Sequence, residues 1–345
     1  MRESLLRKFF KVFLCTFAVL FAFVVTVMLF GFMNRSGHTP VEYDLTTSPV
    51  LFRTGSGTRT FDMTSPIVLR LDIHGVIGTG NLKPDIIQEK LFASQEGLFK
   101  GRTKAVILEI NSPGGLASDS YAIYKLLQDY KKRYNVPIYA HVEGLCASGA
   151  MMIACSADKV LANPSSITGS VGVIVGPAVN VYELMTTHGV KAKTLTAGKD
   201  KDALNPTKKW APDEGAAIQR AVDCDYELFV DIVTSNRKRI TKEALVGSYG
   251  AHVFAAKDAL SHGYIDAIVP SYEQFLEQTI TETNLGSNYL VMGLRLQRSP
   301  FNALATAFSR SSQGPGFKIT HHLQSVKSFP EELQGRACYL YLPSL

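Results

Sequence analysis

Two short runs of small residues hold the groups in this chain that could carry out nucleophilic chemistry. The first is Asn111-Ser112-Pro113-Gly114-Gly115, set directly behind the apolar run 105–110. A strand that ends in Pro-Gly-Gly turns sharply and leaves backbone N–H groups exposed. Glycine lets a reacting oxygen come close to them, as stabilisation of an oxyanion requires. An ordinary tight turn has the same composition. The second is Cys146-Ala147-Ser148-Gly149-Ala150-Met151-Met152, again behind an apolar run. One serine among small residues at a strand-to-helix junction has room for an acyl group, and the Gly149 N–H would face the developing charge. The plain alternative is a serine that caps a helix. Cys146 is the rival nucleophile, placed on the strand itself.

A nucleophilic serine needs a base. The histidines that follow Ser148 are His188, His252, His262, His321 and His322, and none lies in a sharp motif. A lysine is the other choice, and Lys199-Asp200-Lys201-Asp202 stands just before Asn205-Pro206. A solvated charged loop is the alternative reading of that tetrad.

The elements that must position these groups follow from periodicity. Residues 67–73, 105–110 and 137–142 read as strands, the second buried on both faces. Ser118 or Asp119 caps a helix with Ile123, Leu126, Leu127, Tyr130 and Tyr134 on one side, stopped by Asn135 and Pro137. Short strands are expected at 159–162, 171–175 and 192–196, a long helix over 212–236, and a helix at 256–262 that feeds a strand at 265–269. Strands that alternate with helices predict an α/β fold with largely parallel pairing. Beyond about residue 281 the pattern fades, and 281–345 reads as a tail.

The 345 residues are 46% hydrophobic and 19% charged, with a net charge of +6. Residues 12–33 carry no charge. As a helix they would span roughly 33 Å, enough for a hydrocarbon core of about 30 Å. Arg2, Arg7, Lys8 and Lys11 precede them against one acid, Glu3. The expectation is an uncleaved signal anchor in the cytoplasmic (inner) membrane, with residues 1–11 cytoplasmic and the catalytic part outside. Residues 34–66, rich in Ser, Thr, Gly and Pro, read as a linker. The basic residues form no stripe with interleaved aromatics, so nucleic acid is not an expected partner. The five cysteines fit no zinc spacing, and neither a metal nor a cofactor is expected.

Four motifs in order then resemble the signal peptide peptidase A (protease IV) family, in its short, single-domain SohB-like branch. They are INSPGG (110–115), ASGAMMIACSADKV (147–160), GSVGVI (169–174) and TAGKDKDALNP (196–206). The closing FAAKDALSHGYIDAI (254–268) is similar to the family's last helix and strand, so the resemblance covers about 200 residues. It implies a ClpP/crotonase-like spiral of ββα units over 67–280. It carries the nucleophile onto Ser148, the general base onto Lys201, 53 residues on, and a supporting hydroxyl onto Ser170. The oxyanion donors it implies are the N–H groups of Gly115 and Gly149. Ala150 departs from the family's usual second glycine and adds a methyl near the serine. The resemblance also implies rings of subunits, with serine and lysine supplied by neighbours, and cleaved signal peptides or other unfolded apolar peptides as substrates.

A lysine base must be neutral, and at pH 8 only roughly 0.4% of free lysine is. A shift of about 3 units by burial would correct this, at about 4 kcal/mol. Lys201 is therefore expected in a partly apolar pocket of the assembled enzyme. Met151 and Met152, on the helix after Ser148, are candidates to line a substrate pocket. The apolar end Ala337-Cys338-Tyr339-Leu340-Tyr341-Leu342 has the composition of such a substrate, and is expected to reach the groove of its own or a neighbouring subunit. An enoyl-CoA hydratase-like enzyme would leave the anchor and Lys201 unexplained. A Ser-His-Asp protease of the ClpP type would need a histidine near 169–175, where none stands. A membrane scaffold that kept the fold without activity is the non-enzymatic alternative.

Overall fold

The apolar runs form the middle of a parallel sheet. The structure, a computed structural model, describes residues 21, 45–54, 64–298 and 338–340. The chain divides into two units, and one of them, residues 1–46 with 298–312, lies almost wholly outside the described residues. The expected anchor, 12–33, belongs to that unit. Among the described residues no helix is long and apolar enough to cross a membrane. The other unit, residues 47–297 with 313–345, holds the sheet and every candidate site residue.

Its strands are β1 (Leu45–Thr54), β2 (Ile67–His74), β3 (Thr103–Ser112), β4 (Gly114–Leu116), β5 (Ile138–Ala147), β6 (Lys159–Ala162), β7 (Ile167–Gly169), β8 (Val253–Ala255), β9 (Ala267–Ile268), β10 (Leu290–Arg298) and β11 (Cys338–Leu340). The main sheet runs β1-β10-β2-β3-β5-β6-β9, and β7 branches from β5 to meet β8. Pairing from β10 to β9 is parallel, as is β5 with β7, while β7 and β8 are antiparallel. The described helices of six residues or more are α1 (Pro84–Ala93), α2 (Ala117–Tyr134), α3 (Gly149–Ala154), α4 (Tyr182–Thr187), α5 (Ala216–Asn236), α6 (Ala256–His262) and α7 (Tyr272–Thr283).

Strand alternation sorts side chains to two cores. Val106, Leu108 and Ile110 of β3 face a core shared with α1, α2, α3, α5 and α6. Ala105 and Ile107 face the other side, where α7 contributes Phe275, Leu276 and Ile280. Each such side chain contributes about 1.5–3 kcal/mol when fully buried, which is why the sheet is covered on both faces. This second face also carries a polar pair, Glu109 and His141, joined through Nδ1 at 2.5 Å beneath Tyr272 and Phe275.

Several expectations change. The 34–66 linker contains β1, the edge strand beside β10. The 281–345 tail contains β10, which lies inside the sheet between β1 and β2. Its alternation of Leu290, Met292, Leu294 and Leu296 is a strand signal that the Gly and Arg residues between them obscure. No strand forms over 171–175 or 192–196. At Ser170, φ is 55°, and the chain leaves β7 there; over 171–175 an isolated bridge at Ile174 takes the place of a strand. Helix α2 begins at Ala117 without a side-chain cap and ends, as expected, at Asn135, whose φ is 52°.

Candidate active site

Ser148 stands between β5 and α3 with φ 57° and ψ −121°. A non-glycine residue there costs of order 1–3 kcal/mol and persists only where its surroundings hold it. Here they do. The Ser148 N–H donates to the Gly169 carbonyl at 2.8 Å, and the Ser148 carbonyl accepts from the Met152 N–H at 3.2 Å. The pairing of Ala147 with Gly169 draws β7 alongside. Ser148 occupies the cap position of α3, yet its side chain makes no capping hydrogen bond. The helix-cap reading therefore fails: the strained turn aims the hydroxyl elsewhere, and Oγ bonds to no described residue.

The rival Cys146 is fully buried, and burial pushes its thiol far above the usual range, which leaves no thiolate to react. Met151 and Met152 are also fully buried, among the core residues behind the turn. The helix is only six residues long and every one of its residues is buried, as is Ser148 before it, so neither methionine is open to solvent while the 338–340 strand lies against this helix.

The Gly114-Gly115 turn lies at the end of β3. Gly114 has φ 96°. A Cβ on Gly115 would sit 2.1 Å from the Ile77 carbonyl oxygen, so only glycine fits. Ile77 N–H donates to Gly114 O at 2.8 Å, and Leu116 N–H donates to Ile77 O at 3.1 Å. Successive residues of a strand present their N–H and C=O groups to opposite edges. Gly115 therefore turns its own N–H away from Ile77. The Asn111 side chain ties this end to β5 by accepting from Leu145 N–H at 3.3 Å. Gly149, the other expected donor, is the first residue of α3 and is buried beside Ser148.

Ser170 follows β7 directly, as Ser148 follows β5. Its N–H donates to the His252 carbonyl at 2.7 Å. Gly169, just before it, has φ 131°, and a Cβ there would meet that same carbonyl at 2.5 Å. The register thus sets Ser148 and Ser170 at adjacent strand ends.

Lys201 lies elsewhere in character. It is exposed, in a loop where Lys201 N–H donates to Gly198 O at 3.4 Å, and its ammonium bonds to no described residue. No hydrogen bond joins it to Ser148 or Ser170 within the protomer. Asp202, which would hold a neighbouring lysine charged, is instead paired with Lys208 at 2.9 Å. Lys208 also meets Glu214 at 3.1 Å. The hydrogen bond to Asp202 raises the Lys208 pKa, and the Leu204 N–H lowers that of Glu214. The loop is further fixed by the Trp210 Nε1–H bond to Asn205 O at 2.8 Å.

This loop belongs to a stretch, residues 172–228, in which no residue is buried. Val179, Leu184 and Val190 are exposed there, and Leu195 is 83% exposed. A hollow of about 530 Å³ lies in the same stretch, lined by Val173, Ile174, Leu204, Ile218 and Val222 among others.

The fixing of Ser170 by the His252 carbonyl is not legible in the sequence. A backbone acceptor leaves no mark on residue type, and the only trace is the glycine at 169. The C-terminal segment meets the site: β11 pairs antiparallel with β4, with Tyr339 opposite Gly115.

Known proteins share parts of this chain. The profile of Peptidase family S49 matches residues 130–285, and that of Clp protease matches 84–170. A putative signal peptide peptidase SppA of Enterococcus faecium is 30% identical over 58% of this chain and 59% of its own length. Protease SohB of Haemophilus influenzae is 26% identical over 65% of this chain and 59% of its own. A Na(+)/H(+) antiporter NhaA of Brucella melitensis is 34% identical over 48% of this chain, but over only 23% of that protein. The matches to these three span under two thirds of each relative. The α/β fold is ClpP-like.

Proposed function

The chain belongs, through residues 130–285, to peptidase family S49, the family of its SppA and SohB relatives, and from that premise we propose that it is a serine endopeptidase with Ser148 as nucleophile and Lys201 as general base. The observation that carries the reading is the strained turn at Ser148. Its cost has no structural return as a helix cap, and it leaves the hydroxyl unbonded next to Gly149, on a helix that packs against the Gly114–Leu116 strand.

In the reaction, Ser148 Oγ attacks the scissile carbonyl and Lys201 Nζ takes its proton. The carbonyl oxygen gains its charge against the Gly115 and Gly149 N–H groups. Lys201 then gives the proton to the leaving amine, and later takes one from the water that releases the acyl group. Ser170, at the next strand end, orients the lysine amine.

Lys201 is exposed in the protomer and its ammonium bonds to nothing described, so its approach to Ser148 and the apolar cover a neutral amine needs come from a second copy. The stretch 172–228, with no buried residue of its own, is the surface that such a copy would cover. The enzyme is accordingly a homo-oligomer with a shared dyad. It is anchored in the inner membrane by residues 12–33 and works outside the cytoplasm. Its substrates are unfolded apolar peptides, cleaved signal peptides among them.

Labelling by a fluorophosphonate probe tests the reading. Wild-type chain should label, and Ser148→Ala should not. Equal labelling of both, or none of either in the assembled protein, would instead favour a scaffold that kept the fold.

A further inference from the structure

We infer that β11, the chain's own C-terminal strand, lies where a substrate backbone would lie and holds the Gly115 N–H that the reaction needs. This rests on the serine peptidase reading above and adds to it a form of self-restraint.

The two edges of β4 are occupied differently. Gly114 O and Leu116 N–H are taken by Ile77. Gly115 N–H and C=O therefore point to the opposite edge, and that edge is where β11 pairs. In an antiparallel pair, directly opposed residues alternate between those that exchange two hydrogen bonds and those that exchange none. Tyr339 stands opposite Gly115. Since both polar groups of Gly115 face β11, Tyr339 and Gly115 form the bonded pair. The Tyr339 carbonyl thus takes the N–H assigned to the oxyanion.

Two further observations agree. Besides β4, β11 runs against α3, the helix that begins immediately after Ser148. It therefore lies against both the oxyanion strand and the helix that opens after the nucleophile. In addition, the Ile77 hydrogen bonds to Gly114 O and from Leu116 N–H clamp β4 along its other edge and fix the direction in which Gly115 N–H points. The free edge is three residues long, and a three-residue strand fills it. The occupant is drawn from the apolar end 337–342, whose composition matches the unfolded apolar peptides proposed as substrates.

If the strand is docked in about nine molecules of ten, the competent fraction is about a tenth, and apparent efficiency falls about tenfold. Three preparations test this: the full chain, a chain ending at Ala337, and Tyr339→Pro, which lacks the N–H that bonds to Gly115 O. Two readouts are needed. The first is kcat/KM on a short apolar peptide, with a synthetic peptide of residues 335–345 added back. The second is hydrogen exchange of the segment 112–117, measured in the Ser148→Ala background so that no turnover intervenes.

Truncation and Tyr339→Pro should each raise kcat/KM about tenfold and speed exchange at Gly115, and the added peptide should inhibit competitively. Unchanged exchange on truncation would overturn the placement of β11. Faster exchange with unchanged kcat/KM would overturn its role as a restraint. Faster exchange in a protein that hydrolyses no peptide and takes no fluorophosphonate would leave β11 in place and remove the peptidase reading.

Discussion

The strain at Ser148 has measurable effects apart from catalysis. Glycine adopts positive φ without the Cβ penalty. Ser148→Gly is therefore expected to raise the unfolding free energy by about 1 kcal/mol over Ser148→Ala, with both inactive on peptides; equal denaturation midpoints would count against a strained nucleophile. Lys201→Ala should abolish hydrolysis, while Lys199→Ala keeps substantial activity; the reverse result would move the base to Lys199. Since a lysine base acts only when unprotonated, kcat/KM should rise towards alkaline pH. An acidic optimum would exclude the mechanism. At Gly115, a methyl must displace the Ile77 backbone. Gly115→Ala should cost on the order of 10²–10³ in kcat because the clash displaces the oxyanion donor, and a variant with normal kcat would remove Gly115 from that role.

Among the elements, what could be read in the sequence was what depends on local pattern. The apolar runs at 67–73 and 105–110, the helix face of Ile123 and Leu127, and the stop at Asn135 all lie in the structure as expected. So do the two strand-end turns that hold Gly115 and Ser148. What escaped depends on distant chain. β10 reads weakly because Gly293 interrupts it, and that glycine exists to admit another element: a Cβ there would meet the Phe52 ring of β1 at 2.6 Å. The expected strand at 171–175 fails because Ser170 is held by His252, more than 80 residues away. The burial of the methionines after Ser148 could not be read because sequence places them near the nucleophile but not on which side. From the sheet order, a chain cut after Thr283 loses an internal strand, whereas one cut after Arg298 keeps it. The shorter chain should be insoluble or lack a cooperative unfolding transition. A sharp transition in the shorter chain would show that β10 is dispensable.

For the whole molecule, the exposure of Lys201, whose ammonium bonds to no described residue, makes the proposed assembly the deciding variable. Mixing Ser148→Ala with Lys201→Ala subunits should restore part of the activity, because some junctions then contain an intact serine and an intact lysine. Verified mixed oligomers without recovery would place both residues in one subunit. A reporter fused after Leu345 should be active only outside the cytoplasm; a reporter active inside would reverse the proposed orientation. The bare stretch 172–228 also gives the rate a kinetic order. An enzyme whose base arrives on a neighbour obeys mass action: diluted below the dissociation constant of its own assembly, it should lose specific activity, with velocity falling faster than the amount of protein. With the proposed membrane anchor and shared dyad, catalytic power would become a function of crowding in two dimensions, silent where the chain is sparse and rising steeply where copies gather.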